Sequence, residues 1–357
     1  MCRTANGADC NFEESYVKNI HSVIENGKMH DDVYSAAQKP GRGNICPTTI
    51  ILPTLAMQCK EKLDRQVKKG LPVENYEDAL VGEFLKILDK KIGEAKDALL
   101  ERFDWISSQP SASAKFMYEN GTMAGYVPQE GIKSALRHGT LAIGQLGLAE
   151  TLQILIGCDH STEKGMELAK TIEQMFKDKC AQFKEEYKLN FGVYYTPAEN
   201  LCYTAMKKFK AKYGEIEKVS DHDYFTNSMH IPVWEKMTPF EKIDLESQLT
   251  GFSSAGCITY VELDGSAKNN VQAIEELVNY AMDKDIPYFA VNVPNDVCMA
   301  CGYTDDIGDK CPMCGASDEH IMRLRRVTGY LSTDYRNFNY GKQKEVEMRK
   351  KHTCVDA

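Results

Sequence analysis

Four cysteines near the C-terminus have a spacing that by itself specifies chemistry. They read Cys298-x-x-Cys301, nine intervening residues, then Cys311-Pro312-Met313-Cys314. A two-residue gap lets both thiolates of a pair face one ion, and two such pairs close the tetrahedral shell that zinc takes in structural sites. Gly302 and Gly315, each directly after a pair, suit the tight turns such knuckles need. Four thiolates leave no position for water, so the expected zinc is structural. Reduced thiols or a redox dithiol are the competing reading. The nine other cysteines are scattered: Cys2, Cys10, Cys46, Cys59, Cys158, Cys180, Cys202, Cys257 and Cys354. An odd total in a long chain favours metal binding, catalysis or buried thiols over a disulfide framework.

Downstream of these cysteines, Arg325-Arg326-Val327-Thr328-Gly329-Tyr330-Leu331 sets one glycine among β-branched and aromatic residues. Alone, such a glycine reads as a bulge. It is followed by Arg336-Asn337-Phe338-Asn339-x-Gly341-Lys342-x-x-Glu345-Val346-x-x-Arg349-x-x-His352. Upstream, Thr196-Pro197-Ala198-Glu199-Asn200 lies where an expected strand gives way to an expected helix, and the amides and dipole of a helix N-terminus suit phosphate. Glu199 serves equally well as a helix-dipole residue. Asn44, in Gly41-Arg42-Gly43-Asn44, is either a loop asparagine or an amide that holds a hydroxyl by both donating and accepting. Asn227, Ser228 and His230 precede an Ile-Pro-Val run, where a histidine is more often packed than catalytic. The chain has no phosphate-binding Gly-x-x-x-x-Gly-Lys-Ser/Thr loop, no Gly-x-Gly-x-x-Gly turn and no Gly-x-Ser-x-Gly elbow.

The elements that must position these groups follow from composition and periodicity. With 357 residues, 43% hydrophobic and 27% charged, the chain can bury a substantial core and is neither disordered nor fibrous. A formal charge of −9 argues against direct nucleic-acid binding, which needs a basic surface. The most apolar stretch, residues 140–157, holds Gln145, Glu150 and Gln153, so it reads as a buried core helix and not as a membrane span. Met1 is followed by no apolar run, and the expectation is a cytoplasmic protein. Residues before 44 read mostly as loop, with a short helix over 12–25. Thr48 to Leu52 reads as a buried strand stopped by Pro53, and Glu77 to Ile106 as a long amphipathic helix. A second such helix runs from Glu163 to Tyr187. Then follow a strand over Phe191 to Tyr195, a helix from Pro197 to Tyr213, a strand over Ile258 to Leu263, a helix over Asn270 to Asp283 and a strand over Tyr288 to Val293. This alternation predicts α/β architecture.

The tract Gly256-Cys257-Ile258-Thr259-Tyr260-Val261-Glu262-Leu263-Asp264-Gly265, the four cysteines, Arg326 to Leu331 and Gly341-Lys342 together resemble the C-terminal region of the anaerobic, class III ribonucleotide reductases, which are glycyl-radical enzymes. Met1-Cys2-Arg3-Thr4, Gly41 to Asn44, Thr196 to Asn200 and Asn227 to Val233 match too, so the resemblance covers nearly the whole chain. It implies the C-terminal half of a ten-stranded α/β barrel, followed by a four-cysteine zinc ribbon and a glycyl-radical loop. The corresponding division is 1–47 for a finger loop and the segment leading in, 48–294 for the half-barrel, 295–320 for the zinc module and 321–357 for the radical loop and tail. It also implies reduction of ribonucleoside triphosphates to 2′-deoxyribonucleoside triphosphates. An activating enzyme that uses S-adenosylmethionine and an iron–sulfur cluster removes a hydrogen atom from Gly329, and the radical passes to a cysteine. That cysteine falls at Cys2, although family members usually carry Met-Gly-Cys-Arg where this chain has Met-Cys-Arg; otherwise Cys2 is a terminal cysteine without a role. The thiyl takes the 3′ hydrogen and the 2′ hydroxyl leaves as water, with Asn44 at the ribose and Thr196, Pro197, Ala198, Glu199 and Asn200 on the phosphates.

Members of that family are considerably longer. The implied partners are therefore an N-terminal reductase half, the activating enzyme and a second copy in a homodimer of the complete enzyme. Three readings stand: the C-terminal part of a split reductase, active only in complex; a zinc-ribbon interaction module in which the glycine motif has lost its role; and an inactive fragment. Intact Arg326 to Leu331 and the retained Cys2 favour the first.

Overall fold

In the computed structural model, residues 9–11, 24–25, 28–29, 43–120, 122–123, 125–195, 198–329 and 332–352 are described. Cys2, Thr196, Pro197 and most of the helix expected over 12–25 lie outside them. The last two residues of that helix, Ile24–Glu25, pair antiparallel with Lys28–Met29 as short strands instead.

Five parallel strands follow one another in chain order: β1 (Asn44–Ile51), β2 (Thr140–Leu146), β3 (Asn190–Val193), β4 (Thr259–Glu262) and β5 (Phe289–Asn292). A parallel bridge between Tyr194 and Gly256 joins the β3 side to the β4 side. Parallel strands need long crossovers, and helices supply them. The helices are α1 (Leu52–Lys68), α2 (Tyr76–Ser107), α3 (Leu148–Ile156), α4 (Glu163–Tyr187), α5 (Glu199–Tyr213), α6 (Pro239–Thr250) and α7 (Val271–Asp283). Among the described residues the sheet is open, with β1 and β5 at its edges, and no closed barrel forms.

Helices α1 to α4 cover one face of the first three strands. α2 starts at Asn75, whose side chain caps the Asp78 amide, and buries Leu80, Phe84, Leu88, Ile92, Ala95, Leu99 and Phe103 at helical spacing. These residues share one core with Leu141 and Ile143 of β2 and Phe191 and Val193 of β3. The alternate strand positions turn away from that core, so Ala142, Tyr194 and Ala255 form a separate small cluster. Small residues line this second face. A Cβ on Gly192 would stand 2.8 Å from Ser254 Oγ and 3.2 Å from Thr140 Cγ2.

The single core helix expected over 140–157 is not there. Residues 140–146 are β2, buried along its whole length, and α3 begins only at Leu148. A fully buried apolar run carries no periodicity that separates strand from helix. Gly147 makes the break: its φ is +79°, and a Cβ there would lie 2.5 Å from Pro53 Cγ. Pro53 in turn does more than stop β1, since it sits in the first turn of α1, which follows the strand without a loop.

After β5 the chain forms a small antiparallel ribbon of β6 (Asn295–Cys298), β7 (Thr304–Asp305) and β8 (Ile321–Leu324), with β6 in the middle. The last helix, α8 (Tyr340–Met348), packs on α5, and Gly341 is what allows it: a Cβ there would stand 2.5 Å from Tyr203 Cβ. Among the described residues no helix is long and apolar enough to cross a membrane.

Candidate functional site

The ribbon brings the four cysteines together. Their sulfur atoms all lie within 4.8 Å of one another, with Cys298 3.6 Å from Cys314 and Cys301 3.6 Å from Cys311. Zinc–sulfur bonds of about 2.3 Å in a tetrahedron put sulfurs roughly 3.8 Å apart, so the cluster fits zinc in spacing as well as donor chemistry. Each pair is a tight knuckle closed by its glycine: Gly302 N donates to Cys298 O at 2.8 Å and Gly315 N to Cys311 O at 2.9 Å. Both glycines have positive φ, +78° and +74°. Cys298 and Cys311 are buried and Cys301 and Cys314 exposed.

β8 carries the chain from this cluster to Gly329, and both shoulders of the glycine segment are tied down. Before it, Arg325 makes a two-pronged contact with the fully buried Asp296 of β6, and Arg323 Nη1 donates to the same carboxylate at 3.2 Å. After it, Asp334 accepts from Arg323 N at 2.9 Å and from Arg336 Nε at 2.9 Å, folding the returning chain back onto β8. Val327 and Thr328 are buried, whereas Gly329 is exposed.

The polar series after Gly329 packs into one buried cluster against β4. Lys342 Nζ donates to Glu345 Oε2 at 2.5 Å, Asn227 Nδ2 to the same oxygen at 3.0 Å, and Arg349 Nη2 to Glu345 Oε1 at 2.9 Å. Arg349 Nη1 reaches Glu262 Oε1 at 2.9 Å and Arg326 O at 2.6 Å. Burial alone would raise the Glu345 carboxyl, but Lys342 and Arg349 hold it down at about 2. His352 accepts from Glu262 N through Nδ1 at 2.8 Å, and burial beside the Lys242 ammonium pushes its imidazole down to about 3. His230 is packed as expected, with Nδ1 3.2 Å from Glu246 Oε1 and its ring edge-on to Tyr260.

The remaining candidates sit at opposite ends of the strands. Asn44 pairs with Thr140, and Thr140 with Asn190, where the strands begin; its Nδ2 donates to Ala255 O at 2.9 Å, and its buried Oδ1 has no hydrogen-bond partner. Asp9 to Asn11 lie at this same end, with Cys10 N donating to Asn190 Oδ1 at 2.8 Å. Ala198, Glu199 and Asn200 lie beyond the other end of β3, at the start of α5, where Ala198 and Glu199 both have positive φ and no side chain caps the helix. Glu262, which ties down the stem of the glycine segment, closes β4 at this second end. The structure thus groups the α5 N-terminus with the Gly329 stem and sets Asn44 apart from both. Sequence reasoning assigned no role to Asp296, Asp334, Glu262 or Arg349; Glu262 and Arg349 stood inside quoted motifs, while Asp296 had only its place two residues before Cys298 as a signal.

The sequence profile described as anaerobic ribonucleoside-triphosphate reductase matches residues 2–352. The chain belongs to that family. The anaerobic ribonucleoside-triphosphate reductase of Escherichia coli K12 is 31% identical over 340 residues, 92% of this chain and 44% of that protein. The enzyme of the same name from phage T4 is 32% identical, with 94% of this chain and 58% of the relative covered. The chain therefore spans about half the length of these ribonucleoside-triphosphate reductases. Among solved structures, an anaerobic ribonucleotide reductase superposes with a TM-score of 0.67 at 21% identity, covering 88% of this chain and 46% of that one. The Thermotoga maritima anaerobic ribonucleotide reductase with glycerol in its active site gives 0.60 at 20% identity, covering 82% and 42%. These likenesses establish a shared reductase fold.

Proposed function

We propose that this chain carries the radical-bearing part of an anaerobic reductase that converts ribonucleoside triphosphates to 2′-deoxyribonucleoside triphosphates. The observation that carries the reading is the family match over 2–352, which includes the Arg326 to Leu331 motif around Gly329. A hydrogen atom is removed from Gly329 by an activating enzyme that uses S-adenosylmethionine and an iron–sulfur cluster. Glycine serves because an unsubstituted Cα between two amides delocalises the unpaired electron. Cys2 takes up the radical and, as a thiyl, abstracts the 3′ hydrogen of the ribose, so that the 2′ hydroxyl leaves as water; formate or a thiol protein supplies the two electrons that reduce C2′, and the 3′ hydrogen is returned from Cys2. Asn44, at the opposite end of the strands from Ala198, Glu199 and Asn200, stands as a separate candidate, its partnerless Oδ1 able to accept from a hydroxyl. Residues 196–200 hold the phosphates at the start of α5, where the helix dipole favours an anion. Cys298, Cys301, Cys311 and Cys314 hold a structural zinc.

Because the chain spans 44% of its E. coli relative, turnover needs the complementary portion of such a reductase, which also completes a ten-stranded barrel around the open sheet and the homodimer of the whole enzyme. The setting is the cytoplasm. The test is an anaerobic assay of the chain with its complement, the activating enzyme and a two-electron reductant, formate or a thiol protein in separate arms, following deoxyribonucleotide formation. Gly329→Ala and Cys2→Ser are each expected to abolish product. Product formed at the wild-type rate by Gly329→Ala rejects the radical role of that glycine. No product from any combination leaves the zinc-ribbon interaction module as the better reading.

A further inference from the structure

We infer that Arg349 is a positioning residue: it bolts the backbone just before Gly329 to the end of β4 and so sets where the glycine Cα sits. The inference rests on Gly329 being the radical residue and concerns how its place is fixed.

One buried guanidinium meets three acceptors from three parts of the chain. Nη1 serves the Arg326 carbonyl at 2.6 Å and Glu262 of β4 at 2.9 Å, and Nη2 serves Glu345 of α8 at 2.9 Å. Each acceptor has a fixed place. Glu262 is held by Asn292 Nδ2 at 2.6 Å, and its backbone N–H and C=O are both bonded by His352. Glu345 is held by Lys342 and Asn227.

Charge balance calls for a cation beside Glu262 but not for a guanidinium. Lys342 already neutralises Glu345 from the same helix. What only Arg349 adds is a rigid fork wide enough to join a strand carboxylate, a helix carboxylate and a main-chain carbonyl at once, which a lysine ammonium on a flexible stem does not reproduce. Burying a guanidinium is unfavourable unless its donors are satisfied, and since Arg349 Nε finds no partner among the described residues, the bonds from Nη1 and Nη2, that to Arg326 O included, are what hold it in place. The carbonyl it grips lies three residues before Gly329, on the side already clamped to Asp296 through Arg325. Hydrogen-atom transfer requires near contact between donor and acceptor atoms, and a displacement of about 1 Å costs on the order of a hundredfold in rate.

Hydrogen–deuterium exchange on the full chain tests the contact without reference to activity. Arg349→Lys keeps a cation between Glu262 and Glu345 but loses the fork. It is expected to raise exchange in peptides spanning 323–333 by about tenfold or more, leaving those over β2 and β3 and the zinc content unchanged. Lys342→Gln, which removes the other partner of Glu345, is expected to loosen 340–348 while 323–333 keeps its wild-type rate. Unchanged exchange over 323–333 in Arg349→Lys overturns the inference, and so does an equal rise in Lys342→Gln, which makes α8 as a whole the tether. With complement and activating enzyme added, Arg349→Lys is expected to form as many glycyl spins as wild type while yielding about 10- to 100-fold less product per spin, an effect that general weakening of the fold does not mimic. Loosened exchange with no spin in wild type refutes the radical reading and spares the tether. A wild-type spin with unchanged exchange in Arg349→Lys refutes the tether alone.

Discussion

Removing zinc should unfold the ribbon and release the glycine segment while the sheet stays intact. The apolar core of the ribbon is small: apart from Cys298 and Cys311, only Ile307 and Ile321 are buried in it, with Tyr303 and Ala316 partly so. Two buried isoleucines contribute about 3–6 kcal/mol, whereas a four-thiolate zinc contributes on the order of 10–16 kcal/mol at neutral pH. The metal thus stabilises the ribbon more than its apolar core does. Its loss also reaches Gly329, because Asp296, which clamps Arg323 and Arg325, lies on β6 two residues from Cys298. The assay is zinc release to a chromogenic chelator, expected at about one ion per chain, followed by hydrogen exchange on the metal-free protein. Protection should vanish over 295–324 and over 325–329, and persist in α2, α4 and β1 to β3. A metal-free chain whose ribbon keeps its protection, or a Cys298→Ser chain that retains its zinc, refutes the reasoning.

Three further outcomes are expected. His352 is held neutral in the fold by burial beside Lys242, with its imidazole at about 3. Below about pH 6.5 the unfolded chain therefore takes a proton that the folded chain refuses, and stability falls by roughly 1.4 kcal/mol per pH unit from this group as pH drops towards 3. Urea unfolding of wild type and His352→Gln between about pH 8 and pH 4.5 should differ by that slope, the contributions of buried His160 and Glu173 being common to both, and equal slopes count against the assignment. Glu345 and Glu246, both held at about 2, act later: their contribution is complete above the ordinary carboxylate range near 4.5 and is lost as pH falls from there to about 2, so the stability of His352→Gln in the same urea series should fall more steeply below about pH 4.5 than above it. Gly147→Ala, at φ +79° and with its Cβ 2.5 Å from Pro53 Cγ, should cost about 1–3 kcal/mol in denaturant unfolding, whereas Gly157→Ala tests left-handed backbone alone, at φ +73° with nothing within 4 Å of its Cβ.

The parts of this fold legible in the sequence are those with a period. α2 and α4 were placed to within a residue or two because their buried positions recur every three or four residues. The clustering of the four cysteines is legible because two Cys-x-x-Cys pairs have a spacing along the chain itself. β2 is not legible because a strand buried on both faces loses its alternation, and the break at Gly147 is a left-handed turn that leaves no room for a side chain beside Pro53, nearly a hundred residues upstream. The anchoring of Gly329 was hidden for a related reason. Asp296, Glu262, Asp334 and Arg349 act through partners remote in sequence, and a lone Asp or Arg has no spacing to declare it. The motif residues Lys342, Glu345, Arg349 and His352 did stand out as a series, but only the fold shows that they converge on β4.

The central claim, that Gly329 carries a radical, is tested most directly by electron paramagnetic resonance after anaerobic treatment of the chain and its complement with the activating enzyme. The predicted result is a doublet, split by the single hydrogen left on the Gly329 Cα, that collapses to a singlet when the protein is made with Cα-deuterated glycine and is absent from Gly329→Ala. A doublet that survives in Gly329→Ala would contradict the claim.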